Sequence, residues 1–216
     1  MVHGFSGLAV TFSCATHTIA APIAMPVTAT VALRCATPPR ASGVATGCCT
    51  LVCSTGACFT VVAPVRFELT GLRVVGGAAD GTSSAGAAVT IVGSPQTARV
   101  ALSLMHFSAL HARALVLASV GPSVGATLVT STFANCAAAA GDDGGALLVK
   151  DVSQLVIAQC AFRANRALAG GGGAIAVQGL SSLTMDATNC TETARSSGAA
   201  STPRHGPARD QSVQRH

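Results

Sequence analysis

Apolar and polar residues alternate along the chain in short runs, and the alternation changes phase at a fixed place. The eight residues from Leu155 to Phe162, numbered as slots 0 to 7, show it. Leu155 and Ile157 fill slots 0 and 2, whereas Cys160 and Phe162 fill slots 5 and 7. Downstream the same slots hold Leu183, Met185, Thr188 and Cys190. Upstream they hold Ala126, Leu128, Ser131 and Phe133, then Val100, Leu102, Met105 and Phe107, then Phe67, Leu69, Leu72 and Val74. Slot 7 thus falls at 74, 107, 133, 162 and 190, in steps of 33, 26, 29 and 28. Period-two alternation marks a strand with one buried face. A change of parity between two such runs needs a bend that turns the chain while keeping the same side inward. Two or three such strands per 26 to 33 residues, joined by Gly-rich turns, make one coil of a solenoid. A 3.6-residue period fits poorly, and Val, Ile, Thr and Gly are poor helix formers.

The expected fold is therefore all-β, a right-handed parallel β-helix of about five coils from Phe59 to Thr193. Right-handedness follows from the strong bias of parallel crossovers. Equal slots in adjacent coils lie about 4.8 Å apart, so Phe107, Phe133 and Phe162 are expected to stack inside, one ring per coil. Residues 1–58 have β-prone stretches, such as Val27 to Leu33, but no matching slots. They are read as an irregular, Cys-rich N-terminal coil and cap. Residues 194–216 turn to Ser, Gly, Pro, Arg and His and read as a disordered polar tail. With Val213 as its single branched aliphatic from Arg195 on, this tail is not expected to cover the last coil. The stack is then open at its C-terminal end, a piece of a longer solenoid or a degenerate copy of one, and prone to self-association there.

Within the repeat, Gly144-Gly145-Ala146-Leu147 and Gly172-Gly173-Ala174-Ile175 begin 28 residues apart, and Phe162-Arg163-Ala164-Asn165 precedes the second. Gly-Gly-Ala-[Ile/Leu] with Phe-x-x-Asn resembles the repeats of polymorphic outer-membrane proteins. More broadly the pattern resembles right-handed parallel β-helix proteins of the pectate-lyase-like architecture. The resemblance covers about Phe59 to Thr193 and decays away from Phe162 to Ile175. Phe133-Ala134-Asn135 is one residue short, Phe107-Ser108-Ala109-Leu110 has lost the Asn, and Cys190 replaces Phe. The family's ladder of turn asparagines is accordingly not expected. The resemblance implies an exported or surface-displayed protein and supplies no activity by itself.

Composition narrows the functional classes. The 216 residues are 50% hydrophobic and 10% charged, with no Trp and no Tyr. Small and branched aliphatics and seven Phe must therefore fill the core, and base-stacking platforms and most sugar grooves, which use Trp and Tyr rings, are disfavoured. The formal charge is +5, but Arg195, Arg204, Arg209 and Arg215 against Asp210 place +3 of it after residue 194. The body is nearly neutral, which argues against a nucleic-acid partner. Stretches without Lys, Arg, Asp or Glu run from Met1 to Leu33, Ala41 to Val65 and Ala114 to Gly141. Each is interrupted by Gly, Pro, Ser and Thr, unlike a membrane span. No Lys or Arg precedes Arg34 and the apolar run Gly7 to Phe12 is short, so no signal peptide is read; the chain is then either not exported or begins upstream.

Six of the nine cysteines lie in the first 58 residues: Cys14, Cys35, Cys48, Cys49, Cys53 and Cys58. An even cluster reads as disulfides formed in an oxidising compartment, with fifteen connectivities open. Zinc is the competing reading, but the paired C-x2-C knuckles are missing. Cys136, Cys160 and Cys190 read as buried thiols.

Chemistry on a solenoid belongs to its outward slots. Slot 1 holds one carboxylate, Glu68, and slot 3 one, Asp186, four coils apart. Glycoside chemistry wants two carboxyls about 5 to 9 Å apart, so these two cannot cooperate. No Lys/Arg column is read either. Asp142 and Asp143 form the only adjacent acidic pair, in a Gly-rich turn where weak calcium binding competes with plain turn solvation. The Gly-Gly-x-Gly-x-Asp calcium motif fails at Gly76 to Gly81, and Gly170 to Gly173 lacks the Lys-Ser/Thr of a phosphate loop. His106 and His111 share a coil with Arg113, Ser103 and Ser108, without an acidic orienter, and His106 is expected to be solvated. Asn189-Cys190-Thr191 is formally a glycosylation acceptor. No catalytic, cofactor-binding or metal-ligating residue is assigned, and no cofactor is expected. The expected function is a non-catalytic surface or extracellular β-helix module for adhesion, scaffolding or glycan contact, with a glycan or another surface protein as partner. The alternative is a fragment of a carbohydrate-active β-helix enzyme of the polysaccharide lyase or hydrolase kind.

Overall fold

The computed structural model describes residues 7–26, 30–36, 49–76, 87–94, 97, 99–119, 125–139, 142–168, 170–179, 182–191, 194–195 and 213–215. Among them every regular element is a strand. The strands fall into seven coils. The first is β1 (Leu8–Phe12), β2 (Thr16–Ile19) and β3 (Ile23–Pro26). The second is β4 (Thr30–Cys35), β5 (Cys49–Cys53) and β6 (Phe59–Val62). The third is β7 (Arg66–Thr70), β8 (Leu72–Gly76) and β9 (Ala87–Val92). The fourth is β10 (Arg99–Ser103), β11 (His106–Leu110) and β12 (Arg113–Ala118). The fifth is β13 (Ala126–Val129), β14 (Thr132–Ala138) and β15 (Leu147–Lys150). The sixth is β16 (Leu155–Ala158), β17 (Ala161–Arg163), β18 (Arg166–Ala167) and β19 (Ile175–Gln178). The seventh is β20 (Leu183–Asp186), β21 (Asn189–Thr191), β22 (Ala194–Arg195) and β23 (Val213–Arg215). In each coil the first, second and last strands join sheets 1, 2 and 3. Every pairing is parallel to the next coil, which makes the molecule a right-handed parallel β-helix.

The slot alignment is the observed register. Slot 0 runs through Val31, Phe67, Val100, Ala126, Leu155 and Leu183. Slot 2 runs through Leu33, Leu69, Leu102, Leu128, Ile157 and Met185. On sheet 2, Phe107, Phe133 and Phe162 are fully buried and stack with centroids 5.0 and 4.7 Å apart and ring planes within 10°. Sheet 3 closes the core with Phe59, Val89, Leu115, Leu147 and Ile175.

The bend that changes parity is a single left-handed residue. At slot 4 the backbone φ is positive in five successive coils: Gly71, Leu104, Thr130, Gln159 and Ala187, at 72°, 54°, 49°, 54° and 46°. A second such column lies at Ala109 within β11, Asn135 within β14 and Ala164 just past β17, and a third follows sheet 3 at Ala63, Ser119 and Asp151. An L-residue in this region costs about 1–2 kcal/mol. The buried columns on either side offset that cost. Corner glycines act differently: a Cβ on Gly145 would run into the Gly173 carbonyl and the Arg166 backbone. The Gly-Gly-Ala repeat therefore lets successive corners stack, Ala146 N–H donating to the Ala174 carbonyl at 2.9 Å.

The regular stack extends upstream of the expected range. Residues 8–53, read as an irregular coil and cap, supply five strands in register with the rest. The reason is an insertion. Arg34 pairs with Thr70 and Cys49 with Leu72, so Cys35 occupies slot 4 and Cys49 slot 5. Residues 36–48 thus separate, along the sequence, two positions that are chain neighbours in later coils. The disulfide Cys35–Cys49 joins those positions with Cα atoms 5.7 Å apart. Cys53–Cys58 closes the next corner of the same coil. Cys48 lies outside the described residues. In the expected disordered tail, β22 pairs with β18 and β23 with β19. Unpaired N–H and C=O groups at a sheet edge take up an extended segment whatever its side chains. The remainder of 196–216 lies outside the described residues.

Candidate functional site

The densest set of charged contacts sits on the outer face of sheet 1. Glu68 points outward from β7, 15% exposed. Arg34, one coil earlier, donates to its Oε2 at 2.8 Å. Arg66, two residues earlier on the same strand, donates to Oε1 through Nε at 2.9 Å and Nη2 at 2.5 Å. The Arg34 hydrogen bond, followed by those from Arg66, holds the Glu68 carboxyl below its ordinary range against the opposing effect of desolvation. Arg66 lies in register with Thr30 below and Arg99 above. A two-arginine column is therefore present where none was read. Beside it, Thr70 and Ser103 share a hydrogen bond of 3.1 Å. The cluster escaped the slot reading because Arg66 and Arg99 stand one residue before slot 0. Their common offset ahead of Phe67 and Val100 was the available signal.

The Asp142–Asp143 turn is built into the scaffold. Asp142 pairs with the buried Arg113 at 3.3 Å, and Arg113 also donates from Nε to the Gly144 carbonyl at 3.2 Å. Asp143 accepts from the Gly171 N–H and, at 2.7 Å, from Gln178 Nε2. Both carboxylates thus bind neighbouring chain, each on a different side. Among the described residues no group of three His, Cys, Asp or Glu is arranged around a common point. Asp186 is exposed on the last coil, four coils from Glu68, as the slots require.

His106, expected to be solvated, is half-buried between Arg73 and Thr132. Burial first, then the Arg73 charge, lowers its pKa. His111 lies past the next corner, on a shallow cleft of about 460 Å³ with Asn135 and Arg166. The two histidines thus serve different faces. Ser108 carries a buried hydroxyl with no hydrogen-bond partner among the described residues. Asn165, fully buried, was passed over with the ladder. Its Oδ1 accepts from the Cys136 N–H at 3.0 Å and its Nδ2 donates to the Phe133 carbonyl at 2.9 Å. It is one rung, sealing a corner to the coil before. Asn189 and Thr191 face solvent from β21. Burial pushes the thiol of Cys136 up to about 12 and that of Cys160 up to about 11, leaving both protonated and inert at neutral pH. Among the described residues no helix is long and apolar enough to cross a membrane. Comparison with known protein families, curated proteins and solved structures finds no match to this chain.

Proposed function

We propose that the protein is a non-catalytic β-helix module of the cell surface or extracellular space, used for adhesion, scaffolding or glycan contact. The observation that carries the reading is that Glu68, Asp142 and Asp143 are each engaged by the chain itself. Glu68 is held by two arginines, Asp142 by Arg113, and Asp143 by Gly171 and Gln178. General acid/base work needs a carboxyl facing substrate and a second one nearby. Two disulfides fit folding in an oxidising compartment and support an exported protein. The pectate-lyase-like resemblance, with its outer-membrane-protein repeats, supports the same location. Convergence of Arg34, Arg66 and Glu68 favours the alternative, a fragment of a polysaccharide lyase or hydrolase. That cluster lies on a sheet face and holds one carboxylate, so the module remains the better reading. The test is incubation of the purified chain with a panel of acidic and neutral glycans. Retention without new reducing or unsaturated ends is expected. Turnover abolished by Glu68→Gln, Asp142→Asn or Asp143→Asn would overturn the reading.

A second copy of the chain is the other proposed partner. Among the described residues no strand pairs beyond β20 or β21, and Leu183, Met185 and Cys190 are only partly covered. Edges of this kind recruit further strands. Sedimentation should show concentration-dependent association; a clean monomer at high concentration would refute it.

A further inference from the structure

Coils 2 to 4 carry an asymmetry that the total charge hides. Their described residues include one acidic side chain, Glu68, against Arg34, Arg66, Arg73, Arg99 and Arg113. Arg113 is buried in its own ion pair. Arg34 and Arg66 hold Glu68 on sheet 1 and Arg99 stands one coil above Arg66, a net +2 after the carboxylate is counted, and Arg73 stands exposed on the adjoining sheet 2. The side chains of Arg34 and Arg66 remain 57% and 46% exposed, so each guanidinium keeps N–H groups facing water. Arg99 is exposed and makes no ion pair among the described residues.

We propose that this face binds a sulfated polysaccharide. The inference rests on the reading of the protein as a glycan-contacting module and names the glycan class. Three features select it. The described outward positions around Glu68 hold Ala, Arg, Thr and Ser and no aromatic ring, so neither a neutral sugar nor a base can stack there. One exposed ion pair adds little, so a flat array holds only a polymer that engages several cations together. A sulfate ester presents three oxygens and can accept from two guanidiniums at once, as Glu68 does now. Thr70 and Ser103 supply hydroxyls beside the cations for hydrogen bonds to the sugar.

Glu68 has a double part. It fixes Arg34 and Arg66 in place, and it competes with an incoming anion for their donors. The test is binding of the full chain to dextran sulfate on a sensor surface, beside neutral dextran, polygalacturonate and single-stranded DNA. Melting curves confirm that each variant folds. Dextran sulfate should bind and neutral dextran should not, with affinity falling steeply as salt rises. Arg34→Ser with Arg66→Ser should weaken binding at least about ten-fold. Arg99→Ser, which breaks no ion pair of the fold, should weaken it about three-fold. Glu68→Gln should tighten it, an outcome no purely structural role of Glu68 produces. Unchanged binding in the arginine variants would overturn the proposal. Equal affinity for polygalacturonate or DNA would overturn the sulfate class. Neutral glycan binding untouched by these substitutions would overturn this inference and leave the module reading standing; retention of no glycan at all would remove both.

Discussion

Phe133→Ala removes the middle ring of the stack. The ring is fully buried and lies between Phe107 and Phe162, nearly parallel to both. Losing its transfer energy costs about 1.5–3 kcal/mol. The hydrogen-bonded ladders on both sides fix the coil spacing, so the space does not collapse. A residual cavity of about 100 Å³ at ~24 cal/mol per Å³ then adds about 2.4 kcal/mol. Two ring–ring contacts go as well, each worth about 0.5–1.5 kcal/mol, part of which the transfer and cavity figures already contain. The expected loss is about 5 kcal/mol. Phe67→Ala is the control, because Phe67 is equally buried but its column neighbours are Val31 and Val100, with no ring stacked on it among the described residues. It should cost about 1–2 kcal/mol less. Urea unfolding followed by far-UV circular dichroism measures both. In a solenoid each coil is stabilised by its neighbours, so a break at Phe133 should also broaden or split the transition. A Phe133→Ala loss below about 2 kcal/mol, or one no larger than that of Phe67→Ala, would refute a load shared through the rings.

Three further outcomes follow from the geometry. Breaking Cys35–Cys49 by paired Cys→Ala should cost about 3 kcal/mol by loop entropy and breaking Cys53–Cys58 about 2, their separations being 14 and 5 residues; equal thermal shifts, or none, would contradict the assignment of 36–48 as an insertion stapled at its root. Acid should destabilise the fold in two stages. The folded pKa of His106 is lowered, so the unfolded chain takes up a proton first, near pH 6.5, and stability falls from there until the folded imidazole titrates. Glu68, also lowered, stabilises above its ordinary 4.5 and loses that contribution as pH falls through its folded value. His106→Gln should flatten the first stage in urea midpoints taken from pH 7 to 5, and superposable profiles would show that His106 burial has no such role. At slot 4, Gln159→Gly should stabilise by roughly 0.5–1 kcal/mol and Gln159→Val should destabilise by about 1–2, since Gln159 is exposed and left-handed; the opposite order would remove the left-handed column as the source of the bend.

The inward columns were legible in the sequence because coil after coil repeats the same demand for an apolar side chain. Phe107, Phe133 and Phe162 could be placed on one another from spacing alone. The parity change called for a bend, but its left-handed backbone was not legible. Leu104, Thr130, Gln159 and Ala187 share a left-handed backbone but no side-chain chemistry, and glycine marks that column only at Gly71. The first two coils were hidden by their corners. Residues 36–48 separate slots 4 and 5 of the second coil. In the first, Phe12 takes slot 4 and Thr16 slot 6, leaving Ser13, Cys14 and Ala15 for one slot. His17 then stands in the slot 7 column below Leu51, so even the apolar signature is lost there. Charged side chains could be listed from the sequence but not paired. Arg34 and Glu68 are 34 residues apart, and only the coil register brings them to 2.8 Å.

That division between inside and outside bears on where function resides. An inward substitution disturbs a column shared by two neighbouring coils and costs several kcal/mol, whereas an isolated outward one usually stays within about 0.5 kcal/mol. Inward positions are therefore occupied by what the stack requires and say little about activity. Outward positions are nearly unconstrained by folding, and in this chain most described ones hold Ala, Thr, Ser or Val. Arg34, Arg66 and Glu68 meeting on one outer face, with Arg99 one coil above, are not something the stack demands. Glu68 is the sharper sign, since it is drawn under two arginines to 15% exposure on a surface where a carboxylate could have stayed in water. In the proposed reading, an ion pair that fixes two guanidiniums without cancelling their charge prepares them for another anion. On that reading the outer face of β4, β7 and β10 is where substitution should change binding more than stability.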